Sequence, residues 1–135
     1  MDDMTQPIRV QRKRTKGFKL PENTVCVTRG TKWGNPFKVI DGFIVFPTNK
    51  TSYFPLYRIK NEDNANSILA TWYDMLINGE RKFDGIILPE WIVFSPINKK
   101  DIKELKGKNL ACFCKITDVC HADILLILAN EPKPN

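Results

Sequence analysis

The spacing of apolar and polar positions changes period several times along the chain, and each change marks an element. Ile8 to Gln11 and Thr24 to Thr28 carry the β-branched residues of strands; the first leads into a basic run and the second ends at Arg29-Gly30. Lys38 to Phe46 reads as a strand pair bent around Asp41-Gly42, a common hairpin dipeptide. Pro47 to Asn61, rich in Thr, Asn, Lys and Tyr, gives no clear period and is taken as an irregular insertion. Ala65, Ile68, Leu69, Trp72 and Leu76 then recur at helical spacing between Asn64 and Asn78, with Gly79 as the stop and Trp72 on the core-facing stripe. Gly85 to Leu88 and Trp91 to Phe94 are short strand candidates broken by Pro89, and Asn98 is placed to cap a short helix that runs through Leu105 and stops at Gly107. Leu110 to Cys114 is a short apolar strand. His121 to Asn130 is a helix that is apolar on most sides and is expected to bury itself against the sheet.

Strands and helices in this order predict an α/β fold: a single compact Rossmann-like domain over residues 1–135, its small mixed or mostly parallel sheet flanked by helices, with residues 1–7 and 131–135 as flexible tails. No apolar run approaches the roughly eighteen residues of a membrane helix, and Met1 to Pro7 is acidic and polar where a signal peptide has a basic start. The expectation is therefore a soluble cytoplasmic protein, with no membrane partner and with its four cysteines reduced or metal-bound.

Charge sharpens this picture. The formal net charge is +6, yet Ile8 to Lys38 alone holds nine basic residues against the single acid Glu22. A basic region of this kind predicts a phosphorylated or polyanionic partner, unless it is only a solvated face. Within it, Thr31-Lys-Trp-Gly-Asn-Pro-Phe37 is a shaped loop. Gly34 permits a backbone conformation closed to other residues, and Pro36 keeps Asn35 out of a helix.

The densest chemistry lies in Cys112, Cys114, Cys120 and His121, three of the four cysteines and the only histidine. Three readings stay open. Cys112, Cys114, Cys120 and His121 form a zinc ligand complement, although Cys-x-Cys, five residues and then Cys-His is not the usual spacing of paired knuckles. On a strand Cys112 and Cys114 would share a face while Phe113 turns into the core. Alternatively, Cys120 at a helix N-terminus has a stabilised thiolate, with His121 and Asp123 near enough to form or orient a base; Asp123 could equally serve only the helix amides. Thirdly, free cysteines are often simply buried, and Cys26 in its strand is read that way.

Three segments together, Arg9-Val-x-Arg-Lys-Arg14, Arg29-Gly-Thr-Lys-Trp-Gly-Asn-Pro-Phe37, and Gly107-Lys-Asn-Leu-Ala-Cys-Phe-Cys114 with Cys120-His-Ala-Asp123, resemble the family called domain of unknown function 4326, small single-domain proteins frequent in phages and bacteria. The resemblance covers nearly the whole chain and implies no established activity. Its commonest form has a tryptophan between the two cysteines and a proline after them, where this chain has Phe113 and Lys115-Ile116. A fainter similarity to a second uncharacterised α/β family, in which a strand-end cysteine is followed eight residues later by Cys-His at a helix start, matches Cys112 and Cys120 and leaves Cys114 unmatched.

The resulting expectation is one ligand pocket at the carboxyl edge of the sheet, built from the Thr31–Phe37 loop and the Cys/His cluster. Arg12, Arg14 and Lys32 would contact phosphate, Trp33 or Phe37 would stack on a base, Thr31 would contact the ligand, and Asn35 would hydrogen-bond the ligand or brace the loop. Cys114, Cys120, His121 and Asp123 would carry chemistry or recognition on a nucleotide, a nucleotide-derived molecule or a nucleic-acid end, with a glycosidic or phosphate bond as the reacting centre of an enzyme. Two other classes stand beside this one. They are a zinc-stabilised nucleic-acid-binding module without catalysis, and a phage-type accessory protein that binds a host protein or sequesters a signalling nucleotide.

Overall fold

The computed structural model describes residues 7–28, 31–49, 51–92 and 99–130. In chain order its elements are β1 (Arg9–Gln11), β2 (Thr24–Cys26), β3 (Lys38–Ile40), β4 (Phe43–Pro47), β5 (Tyr53–Arg58), α1 (Ala65–Ile77), β6 (Lys82–Phe83), β7 (Ile86–Ile87), α2 (Lys99–Ile102), a 3-10 turn (Lys103–Leu105), β8 (Asn109–Cys112) and α3 (His121–Asn130).

The α/β class holds, but the strands are shared among three small sheets and are not gathered into one. The first sheet has the order β1-β8-β2, with β8 parallel to both neighbours. Each parallel ladder runs one bond past its strand, Arg12 N–H to Cys112 O at 2.7 Å and Val27 N–H to Ala111 O at 2.9 Å. The carboxyl ends of all three strands therefore open on one edge, where an α/β sheet presents its ligand crevice.

The second sheet is the antiparallel meander β3-β4-β5. Asp41 and Gly42 both have positive φ, 50° and 82°, the backbone that a two-residue hairpin needs to match strand twist. Strand β5 lies inside the segment expected to be irregular. Its alternation is real, since Phe54 and Leu56 pack on the core while Tyr53 and Pro55 face out. Pro55 obscures the pattern because proline is tolerated only where a strand has a free edge, and β5 is at the edge of its sheet. A second Asp-Gly pair, Asp84 and Gly85 with φ 51° and 87°, closes the β6-β7 hairpin. The expected strand at Gly85 to Leu88 is thus half of a hairpin. That at Trp91 to Phe94 falls partly outside the described residues, as does the cap expected at Asn98.

Helix α1 divides two cores. Asn64 caps it by accepting the Ser67 N–H at 3.1 Å, and Gly79, with φ 86°, lets Gly79 and Glu80 return hydrogen bonds to Leu76 and Met75. Trp72 and Leu76 face the meander with Phe37, Phe46 and Phe83; Tyr73 and Ile77 face the parallel sheet and α3. Phe37 stands edge-on to Phe46, Trp72 and Phe83 at centroid distances of 5.4, 5.5 and 5.1 Å. Helix α3 buries His121, Ala122, Leu125 and Ala129 along one stripe, while Ile127 is exposed. Ile124, Leu126 and Leu128 are partly buried against the same core.

Removing the central ring is expected to cost far more than removing the cap. Phe37→Ala should lower unfolding free energy by about 3–5 kcal/mol and Asn64→Ala by about 1 kcal/mol, read as shifts of the urea midpoint at unchanged slope.

Candidate functional site

The cluster is assembled where β8 ends. Cys112 is its last residue, and the chain bends at Phe113 and Cys114, so the alternation of a strand no longer applies there. Phe113 accordingly does not turn into the core. It is half-buried beneath two cations, with the Arg14 guanidinium 4.1 Å and the Arg12 guanidinium 4.7 Å from its centroid. Arg12 Nε is buried with no hydrogen-bond partner among the described residues, and the stack on Phe113 is what holds that side chain. The Cys112 and Cys114 sulfurs lie 3.6 Å apart.

Between Cys114 and Cys120 the chain has little to pack: Ile116 and Val119 are exposed. Arg9 holds it. Its guanidinium donates to the carbonyls of Lys115 and Ile116, each at 2.7 Å, and to Asp123 Oδ2 at 3.0 Å. The same Asp123 oxygen accepts the Cys120 N–H at 3.0 Å, the backward half of a capping box at the start of α3. Asp123 is therefore a cap and an ion-pair partner, the plainer of the two roles expected for it.

His121 is buried at the first turn of α3. Its Nε2 bonds the Val27 carbonyl, and since a carbonyl can only accept, the proton sits on Nε2 and the neutral ring keeps its lone pair on Nδ1. That nitrogen lies 3.5 Å from the Cys120 sulfur. Tyr73 stands edge-on to the imidazole at 5.2 Å and donates its hydroxyl to the Trp33 carbonyl at 2.6 Å. Burial raises the Tyr73 pKa above its ordinary value and keeps the phenol a donor.

The thiols share charge unequally. Hydrogen bonds from Cys114 and then Cys120 hold Cys112 far below the ordinary thiol range, with the Cys114 backbone N–H adding to the effect. Cys120 is raised by its hydrogen bonds to Cys112 and Cys114 and then by burial, and Cys114 is raised first by Cys112. The ligand atoms of Cys112, Cys120 and His121 all lie within 4.8 Å of one another.

A cavity of about 300 Å³ opens on this cluster, lined by Arg14, Thr28, Cys112, Phe113, Cys114 and His121. Every lining residue comes from the carboxyl ends of the parallel strands or from the start of α3. The loop Thr31–Phe37 reaches the cluster from behind, through Tyr73. Trp33 is buried at 5% exposure among the first core, Phe37 is fully buried in the second, and neither presents a face on which a base could stack. Asn35 is buried too, donating to Leu69 O at 3.0 Å and accepting the Phe37 N–H at 3.0 Å. Thr31 is bonded to Thr28 O at 2.7 Å, and Lys32 lies over the Trp33 ring and pairs with Glu104 at 3.2 Å. The loop's side chains thus brace the fold, and the cavity wall belongs to Arg14 and Phe113. Arg9, Thr28, Tyr73 and Phe113 are the site residues that sequence reasoning did not single out. Arg9 and Asp123 are 114 positions apart, and no local pattern links them.

Loss of the Arg9 clamp breaks the ion pair with Asp123 and the bonds to the Lys115 and Ile116 carbonyls, although Asp123 keeps the Cys120 N–H and Lys115 the Asp118 N–H. Arg9→Ala should cost on the order of 2–3 kcal/mol, less than a fully buried pair because Asp123 is 41% exposed, and should speed amide exchange across residues 115–120. Asp123→Asn keeps an oxygen for the Cys120 N–H and should cost less than Asp123→Ala; equal losses would mean that the cap contributes nothing.

Among the described residues no helix is long and apolar enough to cross a membrane. No curated protein and no solved structure matches the chain. A family model does: the one described as Domain of unknown function (DUF4326) matches residues 10–131, which is most of the chain, and the protein belongs to that family.

Proposed function

We propose that the protein binds a small phosphate-bearing ligand of nucleotide type, or the phosphorylated end of a nucleic acid, in the cavity between the basic arm and the Cys/His cluster. The observation that carries this reading is the lining of the cavity: an exposed guanidinium, Arg14, lies beside the ring of Phe113. An anion is favoured at the first and a flat neutral group at the second, so a ligand charged at one end and neutral at the other fits. A phosphorylated nucleoside or sugar has that form, with the phosphate on Arg14, and on Arg12 beside it, and the base or sugar against Phe113 and Thr28.

Size narrows the class. A volume near 300 Å³ is at the bottom of the range of about 300–1,000 Å³ usual for small-molecule sites, enough for one nucleoside and too little to enclose a dinucleotide. The neutral end would lie over Cys114 and His121, which line the cavity. Cys120 is buried and Asp123 is engaged with Arg9 and the helix start, so neither faces the ligand in this arrangement.

Titration calorimetry against nucleoside monophosphates, sugar phosphates and short 5′-phosphorylated oligonucleotides tests the proposal. Binding by at least one of these classes is expected, weakened about 10- to 100-fold by Arg14→Ala, the loss of one or two charge-assisted hydrogen bonds. Arg14 is exposed, so the variant should unfold at the wild-type temperature. Absence of binding in every class, or Arg14→Ala binding like wild type, would sink it.

A further inference from the structure

We infer that Cys112, Cys114, Cys120 and Nδ1 of His121 hold one zinc ion in a closed tetrahedral site that forms the floor of the cavity. The spacing of the ligand atoms carries the inference. With Zn–S near 2.3 Å and Zn–N near 2.0–2.1 Å, a tetrahedron has edges of about 3.8 Å between sulfurs and about 3.5 Å between sulfur and nitrogen. The Cys112 and Cys114 sulfurs are 3.6 Å apart, and the Cys120 sulfur is 3.5 Å from His121 Nδ1. Two opposite edges of the polyhedron are thus already at their lengths.

The surroundings fit the same ion. The bond from His121 Nε2 to the Val27 carbonyl fixes the ring and leaves Nδ1 as the ligand atom, the outer-shell arrangement of metal-bound histidines. Three soft sulfurs and one imidazole in a tetrahedron select zinc over the oxygen-seeking ions. Cys112, Cys120 and His121 are buried, and Cys114, half-buried on the cavity wall, is the ligand that turns in to close the fourth position. The cavity is the entry path.

Such a site does for the loop 113–120 what packing does not. It joins the end of β8 to the start of α3 with Ile116 and Val119 left in solvent. The site does not depend on the ligand proposed for the cavity, because Arg14 is not among its donors.

The test is made on full-length protein purified under reducing conditions from zinc-supplemented cells. One zinc per chain is expected by elemental analysis, with an X-ray absorption fine structure of three sulfurs and one nitrogen, and cobalt(II) exchanged into the site should give the intense thiolate charge-transfer bands of a tetrahedral ion. Cys114→Ala, chosen because this cysteine is the least buried of the three, should retain zinc with one sulfur replaced by oxygen and with affinity reduced at least tenfold. No zinc above background in the wild type, or recovery of a Cys112–Cys114 disulfide in its place, would overturn the site. An unchanged absorption spectrum in Cys114→Ala would overturn the fourth ligand. Arg14→Ala should still carry one zinc, so the metal and the ligand proposals fail separately.

Discussion

A strand hydrogen-bonded on both sides has no freedom of register, and here that strand is β8. Its parallel pairing with β1 and β2 fixes which residues stand at the carboxyl edge of the sheet: the basic arm after β1, Val27 and Thr28 after β2, and Cys112 to Cys114 after β8 itself. A one-residue slip would turn Cys112 to the opposite face and part it from His121, whose position is tied to β2 through the Val27 carbonyl. Geometry at the cluster is therefore inherited from backbone pairing, and the side chains refine it.

The second constraint is α1, which serves two cores with neighbouring residues. Trp72 belongs to the aromatic core of the meander and donates its indole N–H to Asp84 at 2.8 Å, anchoring the turn of the β6-β7 hairpin. Tyr73, one position on, supports the imidazole and the Trp33 carbonyl. A helix with a single apolar stripe would serve one core only. Ala65, Ile68, Leu69, Trp72 and Leu76 mark one stripe in the sequence, and the second is carried by Ile77 and by Tyr73, whose hydroxyl makes it read as surface until a buried acceptor is found for it.

Elements with a strong local signal were legible: α1 from its period and its Asn64 and Gly79 boundaries, β3 and β4 from Asp41-Gly42, and α3 from its apolar run. What was not legible depended on tertiary partners. Pro55 argues against a strand everywhere except at a free edge, and the edge is a property of the sheet. Phe113 reads as core by alternation, and it is the bend after Cys112 and the two arginines that make it a surface platform. The Cys/His cluster is legible by composition and its spacing argues against zinc; the contacts of Cys112 with Cys114 and of Cys120 with His121, on which the zinc proposal rests, exist only once loop 113–120 has folded. The Thr31–Phe37 motif reads as a shaped ligand loop because of Gly34 and Pro36, but Gly34 does not have a positive φ, and the shape follows the burial of Trp33, Asn35 and Phe37.

That loop also sets how the protein comes apart. Trp33 is seated in the core beneath the parallel sheet and Phe37, four residues later, in the core beneath the meander, with Asn35 pinned to α1 between them. Movement of either side chain out of its core therefore pulls on the short loop that seats the other, and a change at the cavity edge is expected to be felt in a meander that it never touches.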